Sequence, residues 1–154
     1  MRFFTPAWLD GELPDDVAEQ IPATYSAHLT ALGPDLPHDA HRLNTDVSLH
    51  DGLLQAVDRA ASRLELVIRA GDQVTGYFDA RLAYEDARLT TADERFLSNA
   101  IGRHGIELLY DEFDSADSHW VHRLLFWPYY DVTVQFRTFT LAVTPRDGRT
   151  SKCR

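Results

Sequence analysis

Alternation of apolar and polar residues dominates the middle and the end of this chain. Leu64, Leu66 and Ile68 alternate with Glu65, Val67 and Arg69. Val74, Gly76, Phe78, Ala80, Leu82 and Tyr84 then share one parity, against Thr75, Tyr77, Asp79, Arg81, Ala83 and Glu85. A period of two sends successive side chains to opposite faces of a strand. With a short strand over Leu53–Val57 and a turn at Ala70–Gln73, these runs predict an antiparallel meander. Ile106, Leu108 and Tyr110 alternate in the same way with Glu107, Leu109 and Asp111. The stretch His119–Val143 reads as a hairpin, because two runs rich in aromatic and β-branched residues flank a turn carrying Pro128 and Asp131. Val132, Val134 and Phe136 have one parity there, and Phe139, Leu141 and Val143 the other. One face cannot bury both sets without an extra residue, so a β-bulge or sharp twist is expected near Arg137–Thr138.

Two segments carry a helical period instead. Pro14-Asp15-Asp16 opens the first, with Pro and acids where free N–H groups and the helix dipole favour them. Val17, Ile21, Tyr25, His28 or Leu29, and Leu32 follow, Pro22 implies a kink or restart, and Gly33-Pro34 stops the run. The second begins at Thr91-Ala-Asp-Glu94, which has the form of a capping box, and ends at Gly105. Phe3, Phe4 and Trp8 form an apolar anchor near the start. Residues 35–46 hold one proline, three acids and two histidines, and read as a surface loop with one helical turn. Separate helices beside hairpin-connected strands define an α+β domain over 1–154. The expected architecture is a mainly antiparallel sheet of about five or six strands, two helices on one face, and a disordered tail from about 146.

Composition narrows the function classes. The 154 residues carry a net charge of −9 without an acidic block or a basic patch, which argues against nucleic acid and fits a basic protein partner. No run approaches the ~18 apolar residues of a membrane span. The start has no signal-peptide pattern, and the lone Cys153 offers no internal disulfide, so a cytoplasmic location is expected. Lys152 is the only Lys among the 15 basic residues; the Arg, Ala, Asp and Leu bias is that of a GC-rich, bacterial genome.

Candidate chemistry is sparse. There is no nucleotide loop, nucleophile elbow or paired-Cys metal motif. His50-Asp51 can form a base or ligand pair, but adjacent residues in a strand point oppositely, and the favoured role of the Asp51 carboxylate is to accept backbone N–H groups in a turn before Gly52. His38/His41 and His119/His122 stand three apart, a metal spacing on a helix but not on a strand. A site combining His50 and His122 with Asp51, Asp111 or Glu112 would need three ligands. Asp111-Glu112 can supply paired carboxylates, although solvation at a strand end is the simpler fate. Trp127-Pro-Tyr-Tyr130 places aromatics at a turn, where an exposed patch would bind a partner.

The segments Phe3-Phe-Thr-Pro-Ala-Trp8, Leu49-His-Asp51 and His122-Arg-Leu-Leu-Phe-Trp127 resemble a family of small bacterial proteins, a domain of unknown function. The resemblance spans nearly the whole chain and implies a single bacterial domain. It marks Trp8, His50, Asp51, His122 and Arg123 and transfers no activity.

The sequence therefore reads first as a non-catalytic protein-interaction module, toxin-neutralising or adaptor-like, with binding residues among His50, Asp51, His122, Arg123, Trp127 and Tyr129. No cofactor or metal is expected, and the oligomeric state is left open. The alternative is a small-molecule or metal-binding protein, or a hydrolase, around His50, Asp51 and His122. Convergence of the two histidines with a carboxylate in one pocket would favour the alternative.

Overall fold

The computed structural model describes Met1–Arg146. Its strands are β1 Gly52–Ala60, β2 Arg63–Asp72, β3 Gly76–Glu85, β4 Glu107–Ala116, β5 His119–Phe126, β6 Tyr130–Phe136 and β7 Thr138–Arg146. They form one antiparallel sheet in the order β6-β5-β4-β1-β2-β3-β7. The fold is α+β, with seven strands rather than five or six. The seventh arises where one long run was read as a single strand. Arg137 alone separates β6 from β7, yet these are the two edges of the sheet. In a flat sheet seven strands wide those edges would lie about 29 Å apart, at ~4.8 Å per strand. The sheet must therefore roll up. The parity change at Arg137–Thr138 is the corner at which the chain crosses from one edge to the other. The rolled form is pinned there by the bridge Arg88–Gln135 and by Arg137 N–H donating to the Glu85 carbonyl (3.0 Å).

The inside of the roll is the core. Rows of facing residues cross three strands, Leu66–Leu82–Leu141 and Leu64–Tyr84–Phe139. Leu64, Leu66, Leu82 and Tyr84 are fully buried. Each such Leu contributes about 1.5–3 kcal/mol of burial. Phe113, Phe126 and Phe136 fill the interior from β4, β5 and β6.

The helices are α1 Pro6–Leu9, α2 Asp15–Ala18, α3 Ile21–Leu32, α4 His38–Asp46 and α5 Thr91–Ala100. The pattern interrupted by Pro22 restarts, as α2 and α3. The surface loop expected at 35–46 is instead mostly helix. Prolines and histidines obscured the spacing of Ala40 and Leu43, which both enter the core. Asp39 ties α4 to β7 by accepting Leu141 N–H (2.8 Å). The cap of α5 is Thr90, whose hydroxyl accepts Asp93 N–H (3.1 Å), one residue before the expected box; Glu94 pairs with Arg59 instead. The helices do not share one face. α4 and α5 pack with the core, whereas α3 and residues 1–8 cover the outside of β4, in a cluster of Phe3, Phe4, Tyr25, Trp8 and Tyr110. Among the described residues no helix is long and apolar enough to cross a membrane. β7 runs through Arg146, and the remainder of the expected tail lies outside the described residues.

Candidate functional site: a split in the sheet

One junction in the sheet is incomplete. β1 and β4 pair only at Gly52–Leu108 and Leu53–Glu107, and beyond that the two strands part. A bulge in β4 between Leu108 and Tyr110 lies at the parting. An unpaired strand edge leaves N–H and C=O groups that must find other partners. Side chains supply them. His50 Nδ1 donates to the Leu109 carbonyl (2.6 Å), and Phe113 N–H donates to the hydroxyl of Tyr25 (2.8 Å), which itself donates to Asn44 Oδ1 (3.0 Å). Burial, followed by the nearby charge of Asp111, raises the Tyr25 hydroxyl far above its ordinary value.

The turn before β1 holds His50 in position. Gly52 N–H donates to the Leu49 carbonyl (2.9 Å), and Asp51 takes the left-handed conformation (φ 58°). A Cβ on Gly52 would lie 2.6 Å from the Leu49 carbonyl oxygen and 2.7 Å from Ile68 Cγ2, so only glycine fits. The expectation that Asp51 accepts backbone N–H bonds is not met among the described residues. Its side chain is 69% exposed and only approaches His50 Nε2, at 3.5 Å. The turn closes through its backbone, which leaves the carboxylate in water.

His122 is fully buried on the inner face, stacked on Phe113 with ring centroids 3.9 Å apart. Its Nε2 lies 2.9 Å from Asp111 Oδ2 and its Nδ1 2.8 Å from the hydroxyl of Tyr84. A carboxylate only accepts, so Nε2 carries a proton; a neutral ring then accepts at Nδ1 from Tyr84 O–H. Burial, with Asp111 as a further cause, raises the Tyr84 hydroxyl well above its ordinary value and keeps it a donor. Tyr84, His122 and Asp111 thus form a polar chain through an aromatic core. Its first two members are sealed from solvent, and Asp111 is its accessible end.

Asp111 lines a cleft of about 240 Å³ at the split, with Tyr25, Asn44, Ser48, His50 and Tyr110 among its walls. His50 and Ser48 also line an adjoining depression of about 540 Å³, which adds Asp46, Asp51 and Asp72. One carboxylate therefore lies between the two histidines of interest, bonded to His122 and sharing a cleft with His50. Asp51 does not join them. Among the described residues no group of three or more His, Cys, Asp or Glu side chains is arranged to hold a metal ion.

The remaining candidates lie elsewhere. Arg123 points to the outer face, where its Nη1 reaches Asp114 Oδ2 (3.1 Å) and Glu112 Oε1 (3.6 Å). Glu112 is fully buried and accepts the backbone N–H groups of Arg2, Phe3 (2.9 Å) and Phe4 (3.3 Å). The solvated Asp111-Glu112 pair expected from sequence is thus corrected. Adjacent strand residues face opposite ways, Asp111 into the roll and Glu112 under the N-terminal segment. Trp8 packs edge-on against Tyr110 and donates from Nε1 to the Ala18 carbonyl (3.0 Å). Trp127 is 45% exposed and makes a T-shaped pair with the half-buried Tyr129, whose hydroxyl donates to Asp10. Sequence reasoning missed Tyr84 and Tyr25 as site residues. The available signal was a Tyr at an inward position of a strand or helix, where its O–H must find a partner. No family model, curated protein or solved structure matches the chain.

Proposed function

We propose that the protein binds a small molecule in the cleft where β1 and β4 part, with Asp111 as the anchoring group. The observation that carries this reading is the Tyr84–His122–Asp111 chain. Burying a His and a Tyr hydroxyl in an aromatic interior is costly unless both are satisfied, and an apolar trio would fill the same space. The arrangement holds one carboxylate in a fixed orientation at the wall of a cleft. Binding without covalent chemistry is the simpler activity. Ser48 lines the cleft, but among the described residues no hydrogen bond joins its hydroxyl to His50, whose Nδ1 is turned to the Leu109 carbonyl. The test is a fragment library titrated against ¹⁵N-labelled protein. Shifts should cluster on residues 43–50 and 109–111. Shifts scattered elsewhere, or none, would overturn the reading.

A protein-interaction module is the second reading, supported by exposed Trp127 beside Tyr129 and by the net charge of −9, which suits a basic partner. A partner captured at low salt should be released by salt and lost in Trp127→Ala. Equal capture by the variant counts against it. Both readings have the protein working in the bacterial cytoplasm, which the lone Cys153 supports.

A further inference from the structure

We infer that the cleft takes an organic ammonium ion, with its charge on Asp111 and its body against the rings of Phe4, Tyr25 and Tyr110. The inference rests on the small-molecule reading and names the ligand class. Any ligand that fills the cleft strips water from the Asp111 carboxylate. An anionic ligand leaves that desolvation uncompensated and a neutral donor offsets it only in part, whereas a cation turns it into attraction. Among the described residues no Arg or Lys lines the cleft or the adjoining depression, and the depression adds the carboxylates of Asp46, Asp51 and Asp72 at the same mouth. Among the described residues His50 is the only cleft side chain that can carry positive charge, and its Nδ1 is turned to the Leu109 carbonyl.

The walls favour an organic cation over a bare metal ion. Among the described residues the cleft has no cluster of ligating side chains, and its aromatic rings are held by packing on one another. Phe4 stacks on Tyr110 with centroids 5.0 Å apart and meets Tyr25 edge-on at 5.1 Å; the His50 ring lies 5.1 Å from Tyr110. Aromatic faces attract alkylammonium groups through the ring quadrupole. At about 240 Å³ the cleft is below the roughly 300–1,000 Å³ of drug-sized sites, which points to a compact ligand.

The probes are choline and n-butylammonium, each matched to a neutral partner of similar shape, 3,3-dimethylbutan-1-ol and n-butanol. All four are titrated against the ¹⁵N-labelled full chain at neutral pH. At least one ammonium probe should shift residues 109–111 saturably and at least tenfold more tightly than its neutral partner. Asp111→Asn, which keeps an oxygen for His122 to donate to, should remove that preference. Tyr110→Leu should weaken the ammonium several-fold, which keeps the idea testable if the first variant folds poorly. Equal binding of charged and neutral partners overturns the ammonium class but leaves the small-molecule site standing. Silence of all four probes also overturns the class, and the fragment titration then decides separately whether the cleft binds anything.

Discussion

The sheet has two unlike regions. From β2 through β3 to β7 every strand is paired along nearly its whole length, Leu64–Asp72 against Gly76–Tyr84 and Tyr77–Glu85 against Thr138–Arg146. Its inward rows are mostly aliphatic, and its charged groups, such as Asp79 with Arg69 and Arg146, lie on the outer side near water. Between β1 and β4 only two residue pairs are made, and the side chains of His50 and Tyr25 bond to β4 where the neighbouring strand is missing. Asp111 and Glu112 lie on β4 beside the split, Asp111 bonded to His122 and Glu112 to the N-terminal segment. Complete backbone pairing needs only alternation. An open edge needs specific side chains, and those same groups give the cleft its chemistry.

Removing one carboxylate from each region should expose the difference most sharply. Glu112→Ala leaves three backbone N–H groups without their acceptor and removes one of the two carboxylates beside Arg123, and should cost about 3–5 kcal/mol. Asp79→Ala, in the paired region, should cost less than about 1 kcal/mol. Chemical denaturation of the two variants measures the gap, and similar losses would erase the contrast.

Next in size is Tyr84→Phe. It preserves the packing against Phe136 and Phe139 but leaves His122 Nδ1 without its donor, for an expected loss of about 1–3 kcal/mol by the same measurement. No measurable loss would mean that the polar chain is dispensable to the fold.

Acid should touch both regions alike. Burial pushes Asp114 up, but Ser115 N–H and Arg123 outweigh it and hold the carboxyl below its ordinary value of 3.8. Asp79 is lowered against the same penalty by Arg69 and Arg146. A depressed folded value means stability that is present above the unfolded pKa and lost as pH falls through the folded one. Stability should therefore hold from neutral pH to about 5 and decline below about 4. Asp114→Asn and Asp79→Asn should each flatten the decline, as followed by denaturation midpoints against pH. An unchanged slope in both would contradict the pairing described.

The smallest effect belongs to the turn. Asp51→Gly removes a left-handed strain and no backbone bond, so stability should rise by less than about 1 kcal/mol. A clear loss would restore the capping role that the turn does not display.

The paired region was legible because a strand buried on one face writes its period into the sequence. The inward parity of Ala80, Leu82 and Tyr84 is what the chain displays. The corner at Arg137 was legible as a parity change, though not as a passage between opposite edges, because strand order leaves no local mark. The split was hardly legible. His50, Asp111 and Tyr25 are brought together from a turn, a strand and a helix, and their spacing follows no period. Helix α4 was obscured because only Ala40 and Leu43 reach the core from it.

Asp111→Asn tests the account most directly. The amide oxygen can still accept from His122, so stability should change by less than about 1 kcal/mol in chemical denaturation. Binding of any fragment that shifts residues 109–111 in the wild type should fall at least tenfold in the same ¹⁵N titration. A variant that loses stability while its fragment affinity is unchanged would make Asp111 a structural residue and contradict the site proposed at the split.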